Sequence, residues 1–311
     1  MKIVIERFLS AHVNLRLMSN KDFFVDRYEK LGWTFRDVKP RQAIRINVTN
    51  ADSKKIEDRL RTNGVFLEKI PFLENGFWVR RRKVSVGATA EYLLGFYSIQ
   101  EAAAQIPATL FSDLRGNLVL DACAAPGGKT VQLADLMDNT GVVAALDVDN
   151  RRLTALANHL ERCHVSNAVV YKHDARQASR LKLKFKRILL DVPCSGNFAA
   201  DKDWFARRTM RDVERNAKVQ KELLTGAVEC LHEDGEIVYS TCSLEPEEDE
   251  LNMDWATRNL GLQIEEVNCY GQKGLTEVFG KKLDASVERC VRVWPGETQG
   301  FFVCKLKKRR N

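Results

Sequence analysis

The chain has 311 residues, 44% of them hydrophobic and 29% charged, which suits a soluble protein with one large domain and a small one. No apolar run approaches the roughly 18 residues of a membrane span, and the N-terminus lacks the core of an export signal. The net charge of +7 is uneven, because residues 1–90 hold 19 Lys and Arg against 10 Asp and Glu, while the rest hold 30 against 32. A basic appendage on a neutral body points to a polyanion held by one part and processed by the other. A merely solvated basic surface is the plainer alternative.

Residues 1–40 alternate apolar and charged positions at helical spacing, as in Phe23, Phe24, Arg27, Tyr28 and Leu31, and stop at Gly32. After Pro40 the segments 43–48, 65–70 and 77–81 read as strands, with a helix over 53–64 ended by Gly64 and a turn at Asn75-Gly76. This β-α-β-β unit, about 42–83, is compatible with a truncated RNA-recognition-motif-like module, although the aromatic signatures of that module are absent. The expected division is a basic N-terminal domain over 1–85 and a second domain over 86–311.

From residue 116 the rhythm is strand, helix, strand, helix. The apolar runs 117–122, 142–148, 168–173, 185–192 and 236–241 suit buried parallel strands. Helical patterns between them predict an α/β, doubly wound, Rossmann-like sheet. The runs 290–295 and 300–308 read as a terminal hairpin whose last strand enters antiparallel.

Ligands in such sheets sit beyond the carboxyl ends of the strands. The first strand ends in Asp121 and runs into Cys123-Ala124-Ala125-Pro126-Gly127-Gly128-Lys129-Thr130. A phosphate-binding loop would need glycine where Cys123 stands, so that reading fails. Asp147 ends the second strand, at a point suited to both hydroxyls of a ribose. Asp174 ends the third, towards an adenine edge, and Asp191 ends the fourth. One such acid reads as a helix cap, but four suggest a pocket favouring a cationic sulfonium cofactor.

The eight cysteines form no C-x-x-C pair and fit reduced thiols in a cytoplasmic protein, with a Cys269–Cys290 bridge left open. Cys163, Cys230 and Cys304 read as ordinary buried thiols. Cys194 and Cys242 differ, since each follows a strand tip and precedes a serine. Strands four and five should be neighbours, so both thiols would open onto one cleft. Residue chemistry leaves their roles interchangeable. A thiolate nucleophile needs a lowered pKa, and Lys129 is a candidate cation for this.

Taken together, D-x-C-A-A-P-G-G-K-T, D-V-P-C-S-G and V-Y-S-T-C-S-L-E-P-E-E-D-E resemble the Nop/Sun family of RNA cytosine-5 methyltransferases. The likeness extends through most of residues 42–308, including Arg45-Ile-Asn47, Tyr97-Ser-Ile-Gln100 and R-V-W-P…G-F-F-V-C-K-L, and is nearest to short archaeal members that act on tRNA. It implies a class I methyltransferase sheet, S-adenosylmethionine as cofactor and RNA as substrate, tRNA before rRNA. It assigns the cofactor loop to Cys123–Lys129, the ribose to Asp147 with Arg152 beside it, and further cofactor-side acids to Asp174 and Asp191. Cys242 would be the nucleophile that adds to carbon 6 of cytosine, and Cys194 would take part in product release. Asp191 would steady the ring during addition. Two stretches depart from the family pattern: N-F-A-A-D-K-D-W-F after P-C-S-G, and G-E-T-Q after R-V-W-P. Both are expected near the RNA entrance. A DNA-directed enzyme lacks its target-recognition domain here, and a non-catalytic RNA-binding protein would have no use for both cysteines. No metal, membrane contact or obligate protein partner is expected, and the chain should act as a monomer.

Overall fold

A computed structural model of the protein describes residues 19–309. The helical pattern expected over residues 1–18 lies outside them. Among the described residues, no helix is long and apolar enough to cross a membrane.

The N-terminal sheet holds β1 (Ala43–Ile46), β2 (Val65–Lys69), β3 (Gly76–Arg82) and β4 (Tyr97–Ile99) in the order β2-β3-β1-β4. All its pairings are antiparallel. The helix Ser53–Thr62 starts at the cap Asp52, whose side chain accepts from Lys55 N–H, and it buries Ile56 and Leu60. They meet Ile44, Ile46, Val65, Phe77 and Tyr97 in one apolar cluster. The β-α-β-β reading therefore holds and gains a fourth strand. That strand lies past residue 85, and the second helix of a full β-α-β-β-α-β unit is reduced to the single turn Ala90–Leu93.

The large sheet contains five parallel strands. They are β5 (Leu118–Asp121), β6 (Val142–Asp147), β7 (Ala168–Lys172), β8 (Phe185–Asp191) and β9 (Leu231–Thr241). The terminal strand β15 (Phe301–Lys308) runs antiparallel to β9. Its other edge carries β10 (Leu262–Glu265) and β14 (Val291–Val293), and β14 in turn pairs the short β11 (Gln272–Lys273). A separate two-stranded ribbon joins β12 (Glu277–Val278) to β13 (Lys281–Lys282). The antiparallel last strand is as the sequence predicts.

Both faces of the central strands β5, β8 and β9 are covered, which is why they read as apolar runs, whereas the edge strand β7 is largely exposed. Ile188, Leu190, Ile237, Tyr239 and Phe302 point to one side, against Leu223, Leu224 and Ala227 of the helix Met210–Cys230. Leu189, Val238 and Val303 point to the other, against Leu133 and Met137 and against Trp78 and Ile70 of the N-terminal unit. The small sheet is thus welded to the large one. Arg45 reinforces the seam by pairing with Asp135 at 3.0 Å, both side chains being buried.

The helix Asn20–Lys30 departs from the expected division. It packs on the methyltransferase-like body, not on the small sheet, with Phe24 and Tyr28 in a cluster with Phe198, Trp204 and Leu244. Trp33 stacks on Trp294, with rings 5.5 Å apart and 6° from parallel. Aromatic area outweighs charge here, because burying such rings contributes a few kcal/mol each, whereas surface charge pairs contribute about 1 or less.

Candidate active site

Asp121 ends β5 fully buried. Its Oδ2 accepts from Thr130 Oγ1 at 2.7 Å, and its Oδ1 has no hydrogen-bond partner among the described residues. Burial raises its pKa to about 7, against the lowering effect of the Thr130 bond. The loop that follows turns at Gly127, whose φ of 104° is in the left-handed region and opens the helix Gly128–Leu136. A Cβ there would stand 2.8 Å from Leu156 Cδ1, so only glycine fits without a shift.

Asp147 and Arg152 hold this loop from the side. Asp147 accepts from Ala125 N–H at 3.3 Å and from Asp149 N–H at 3.0 Å, while Arg152 Nη2 donates to Ala125 O at 2.5 Å. His159, whose pKa burial lowers to about 4, braces the loop against the small sheet through Pro126 O and Ser98 Oγ. Asp174 behaves differently from the other acids. It caps the turn after β7, and both of its oxygens are held by Arg176, which lowers its pKa.

The register of β8 on β9 sets Asp191 opposite Ser240, so the loops carrying Cys194 and Cys242 emerge side by side. Their Sγ atoms are 3.2 Å apart. The Cys242 thiol is held below its ordinary pKa, first by the hydrogen bond from Cys194, against burial, with Lys129 also lowering it. Cys194 is pushed up by the same hydrogen bond and by burial. The two thiols are thus shifted in opposite directions, Cys242 down and Cys194 up. Lys129 Nζ is bound to Asp191 Oδ2 at 2.8 Å, and Ser240 Oγ donates to Asp191 Oδ1 at 2.7 Å.

A single cavity of about 360 Å³ joins these groups, lined among others by Cys123, Asp147, Arg152, Asp174, Asp191, Cys194 and Cys242. Its volume suits a nucleoside-sized ligand, and its carboxylates favour a cation. The residues present therefore fit S-adenosylmethionine. A larger hollow of about 500 Å³ beside Phe72, Phe111 and Arg115 contains none of the expected site residues. No group of three or more His, Cys, Asp or Glu with metal-holding geometry occurs among the described residues. All eight cysteines are free thiols, so the possible Cys269–Cys290 bridge is not formed.

The sequence reading missed the layer beneath the thiols. Asn197 Nδ2 donates to Cys242 O at 2.7 Å and Trp204 Nε1 to Ser195 O at 2.8 Å. Both belong to the stretch that departs from the family pattern, which lies against the Cys242 loop and the aromatic cluster. The acidic run after Cys242 would read as a solvated face, yet Glu245, Glu248, Asp249 and Glu250 are all fully buried.

Asp121 provides a pH test. A carboxyl whose folded pKa lies above its unfolded one favours the fold at low pH and loses that contribution as pH rises through about 7. Asp121→Asn keeps an acceptor for Thr130 and cannot ionise. In ligand-free protein its stability relative to wild type should therefore rise between about pH 4 and 7 and then level off. Urea unfolding across that range checks this; a constant difference would mean Asp121 ionises normally.

The family model for 16S rRNA methyltransferase RsmB/F matches residues 108–307, and that for the N-terminal domain of 16S rRNA methyltransferase RsmF matches residues 18–102. A tRNA (cytosine(49)-C(5))-methyltransferase of Pyrococcus abyssi is 32% identical over 92% of this chain and 96% of its own. A 28S rRNA (cytosine-C(5))-methyltransferase of Mus musculus is 33% identical over 86% of this chain, which spans only 35% of that longer protein. A solved methyltransferase homologue from Pyrococcus horikoshii superposes with a TM-score of 0.84 at 34% identity, covering 93% of this chain and 95% of its own.

Proposed function

The chain belongs to the 16S rRNA methyltransferase RsmB/F family, and on that premise we propose that it methylates carbon 5 of cytosine in RNA, using S-adenosylmethionine and a covalent adduct at Cys242. The single observation that carries this reading is the contact of the two thiols, 3.2 Å apart, opening onto the acidic cavity.

The cofactor, when bound, supplies an electrophilic methyl group on a sulfonium. The loop Cys123–Lys129 with Asp147 and Arg152 would hold it, and Asp174 and Asp191 would line its remaining side. Carbon 5 of cytosine is too weak a nucleophile to react unaided. Addition of the Cys242 thiolate to carbon 6 makes carbon 5 enamine-like and able to form the new carbon–carbon bond. Loss of the carbon-5 proton and expulsion of the Cys242 thiolate then restore the ring, with Cys194 assisting this release. Asp191, steadied by Lys129 and Ser240, retains free lone pairs for the exocyclic amine. A cytosine in folded RNA has to be unstacked to reach the thiol.

Transfer RNA is the favoured substrate, because the tRNA-directed relative is matched along 96% of its length. The rRNA-directed relative supports rRNA as the second reading. Labelled methyl transfer to tRNA, rRNA and DNA, with bisulfite sequencing of the product, tests both; transfer to DNA alone, or to none, overturns the proposal. The release role predicts that Cys194→Ala accumulates a protein–RNA adduct that survives denaturation. An adduct level no higher than wild type would leave Cys194 a structural thiol.

The N-terminal unit is proposed to grip the RNA backbone. Arg80, Arg81 and Arg82 are exposed along β3 beside the exposed Arg61, and Arg81 lies over Phe66 at 4.4 Å. Replacing Arg80 and Arg81 with glutamate should weaken RNA binding and flatten its dependence on salt, by roughly one unit of slope per lost phosphate contact. An unchanged slope would remove this surface from the interface. Deleting residues 1–80 is a poorer test, since it strips Phe24 and Tyr28 from the core.

A further inference from the structure

The two reactive cysteines are each followed by a serine, and the structure gives that repetition a purpose. Ser195 Oγ and Ser243 Oγ lie 3.2 Å apart, as close as the thiols of their neighbours. One buried carboxylate, Glu248, anchors this pair of hydroxyls. It accepts from Ser195 N–H at 3.0 and 3.2 Å and from Ser195 Oγ at 2.6 Å, and Ser243 is linked to it through the Ser195 hydroxyl. Gln220 Nε2 reaches the same carboxylate at 3.2 Å and also Pro193 O at 2.9 Å, so the residue before Cys194 is tied in as well. Glu248 itself is fixed through its backbone carbonyl, which accepts from Tyr239 Oη at 2.6 Å.

We propose that Glu248 is a positioning residue for the paired-thiol reaction, fixing the separation of the Cys194 and Cys242 loops through Ser195 and Ser243. This rests on the roles given above to the two cysteines. The β8–β9 register alone stops at Asp191 and Ser240; beyond it each chain leaves the sheet as a loop. Something must then keep two thiols in contact while one of them carries a bulky nucleotide. A carboxylate suits the task because, when ionised, it only accepts, and its two oxygens take Ser195 N–H, Ser195 Oγ and Gln220 Nε2 together. A glutamine removes the charge and leaves a single accepting oxygen, so one of these contacts has to rearrange. The charge of Glu248 also raises the pKa of both thiols, so its loss carries a signature that packing alone would not.

The test uses the full chain with an unmodified tRNA transcript and labelled methyl donor, following product formation and denaturation-resistant adduct together. Ser195→Ala should slow release, so that adduct accumulates while turnover falls about tenfold. Ser243→Ala should slow addition, so that turnover falls and adduct does not accumulate. Glu248→Gln should lose about tenfold to a hundredfold in turnover. It should also move the ascending limb of the pH–rate profile downward by up to about one unit, because a negative charge beside the thiols is gone. The serine variants keep the idea testable if Glu248→Gln fails to fold. Melting changes with wild-type turnover, adduct fraction and pH profile in all three variants would overturn the inference and reduce Glu248 to a core contact. Cys194→Ala and Cys242→Ala run alongside. If those two misbehave, the cysteine roles fail; if they behave and the three variants match wild type, only the positioning role fails.

Discussion

Cys242→Ala is expected to lower methyl transfer by on the order of 10⁴-fold or more and to abolish adduct formation, with cofactor affinity unchanged within about twofold. The magnitude follows from the chemistry, since without addition to carbon 6 there is no activated carbon 5 and no slower version of the same step. Retained binding follows from the geometry. The loop Cys123–Gly128 and Asp147 are held by Arg152 and His159, none of which bonds Cys242. The substitution leaves Asn197 bonded to the residue 242 carbonyl, so the loop should keep its path. Calorimetric titration with S-adenosylmethionine and a single-turnover assay on RNA check the two halves separately. Near-normal turnover by the variant would transfer the nucleophile role to Cys194 or end the covalent reading.

Arg292→Leu is expected to cost about 3–5 kcal/mol of stability. Arg292 is fully buried and donates to Glu250 through Nε at 2.8 Å and through Nη2, to Asp249 at 3.0 Å and to Leu244 O at 2.9 Å. It also lies under the Trp294 ring at 4.9 Å. Removing it leaves two fully buried carboxylates with no cation, and that uncompensated charge carries the cost. Burial already pushes Asp249 well above the usual carboxylate range, and Arg292 is the chief influence opposing this. Without the arginine Asp249 would be protonated in the folded state at still higher pH. The deficit should therefore shrink as pH falls, which urea unfolding at several pH values measures. Adding Asp249→Asn and Glu250→Gln to Arg292→Met should recover part of the loss. A cost below about 1 kcal/mol would place the cluster among pairs that contribute little. Activity should fall too, because Asp249 holds Thr241, the residue before Cys242, at 2.6 Å.

Much of this molecule was legible in residue order, for identifiable reasons. Strands buried on both faces need unbroken apolar runs, so β5, β6, β8 and β9 could be read directly, and β7 by its β-branched residues although it is an exposed edge. A tight turn at a strand tip needs glycine, which marked Gly127. A thiol at a strand-to-loop junction stands out from cysteines on apolar faces, which marked Cys194 and Cys242 as a pair. Their separate roles came from the resemblance, since in the contact between the two Sγ atoms either can be the donor.

Other features depend on contacts between residues far apart in the chain. Charge in the helix Asn20–Lys30 suggested a solvated or RNA-facing surface, yet Arg27 bonds Glu245 and Glu247 while Phe24 and Tyr28 pack with Phe198, Trp204 and Leu244 on the large-sheet body. Asp174 was expected to face an adenine edge, yet Arg176 holds both of its oxygens. Local pattern alone thus determined the class of fold, the strand tips and the two thiols, because these obey rules of spacing and burial along one chain. The tertiary structure decided that L-E-P-E-E-D-E is a buried scaffold and not a solvated run. A carboxylate is stable in a core only when distant donors such as Arg27, Ser195, Gln220 and Arg292 converge on it, and sequence spacing carries no record of that convergence.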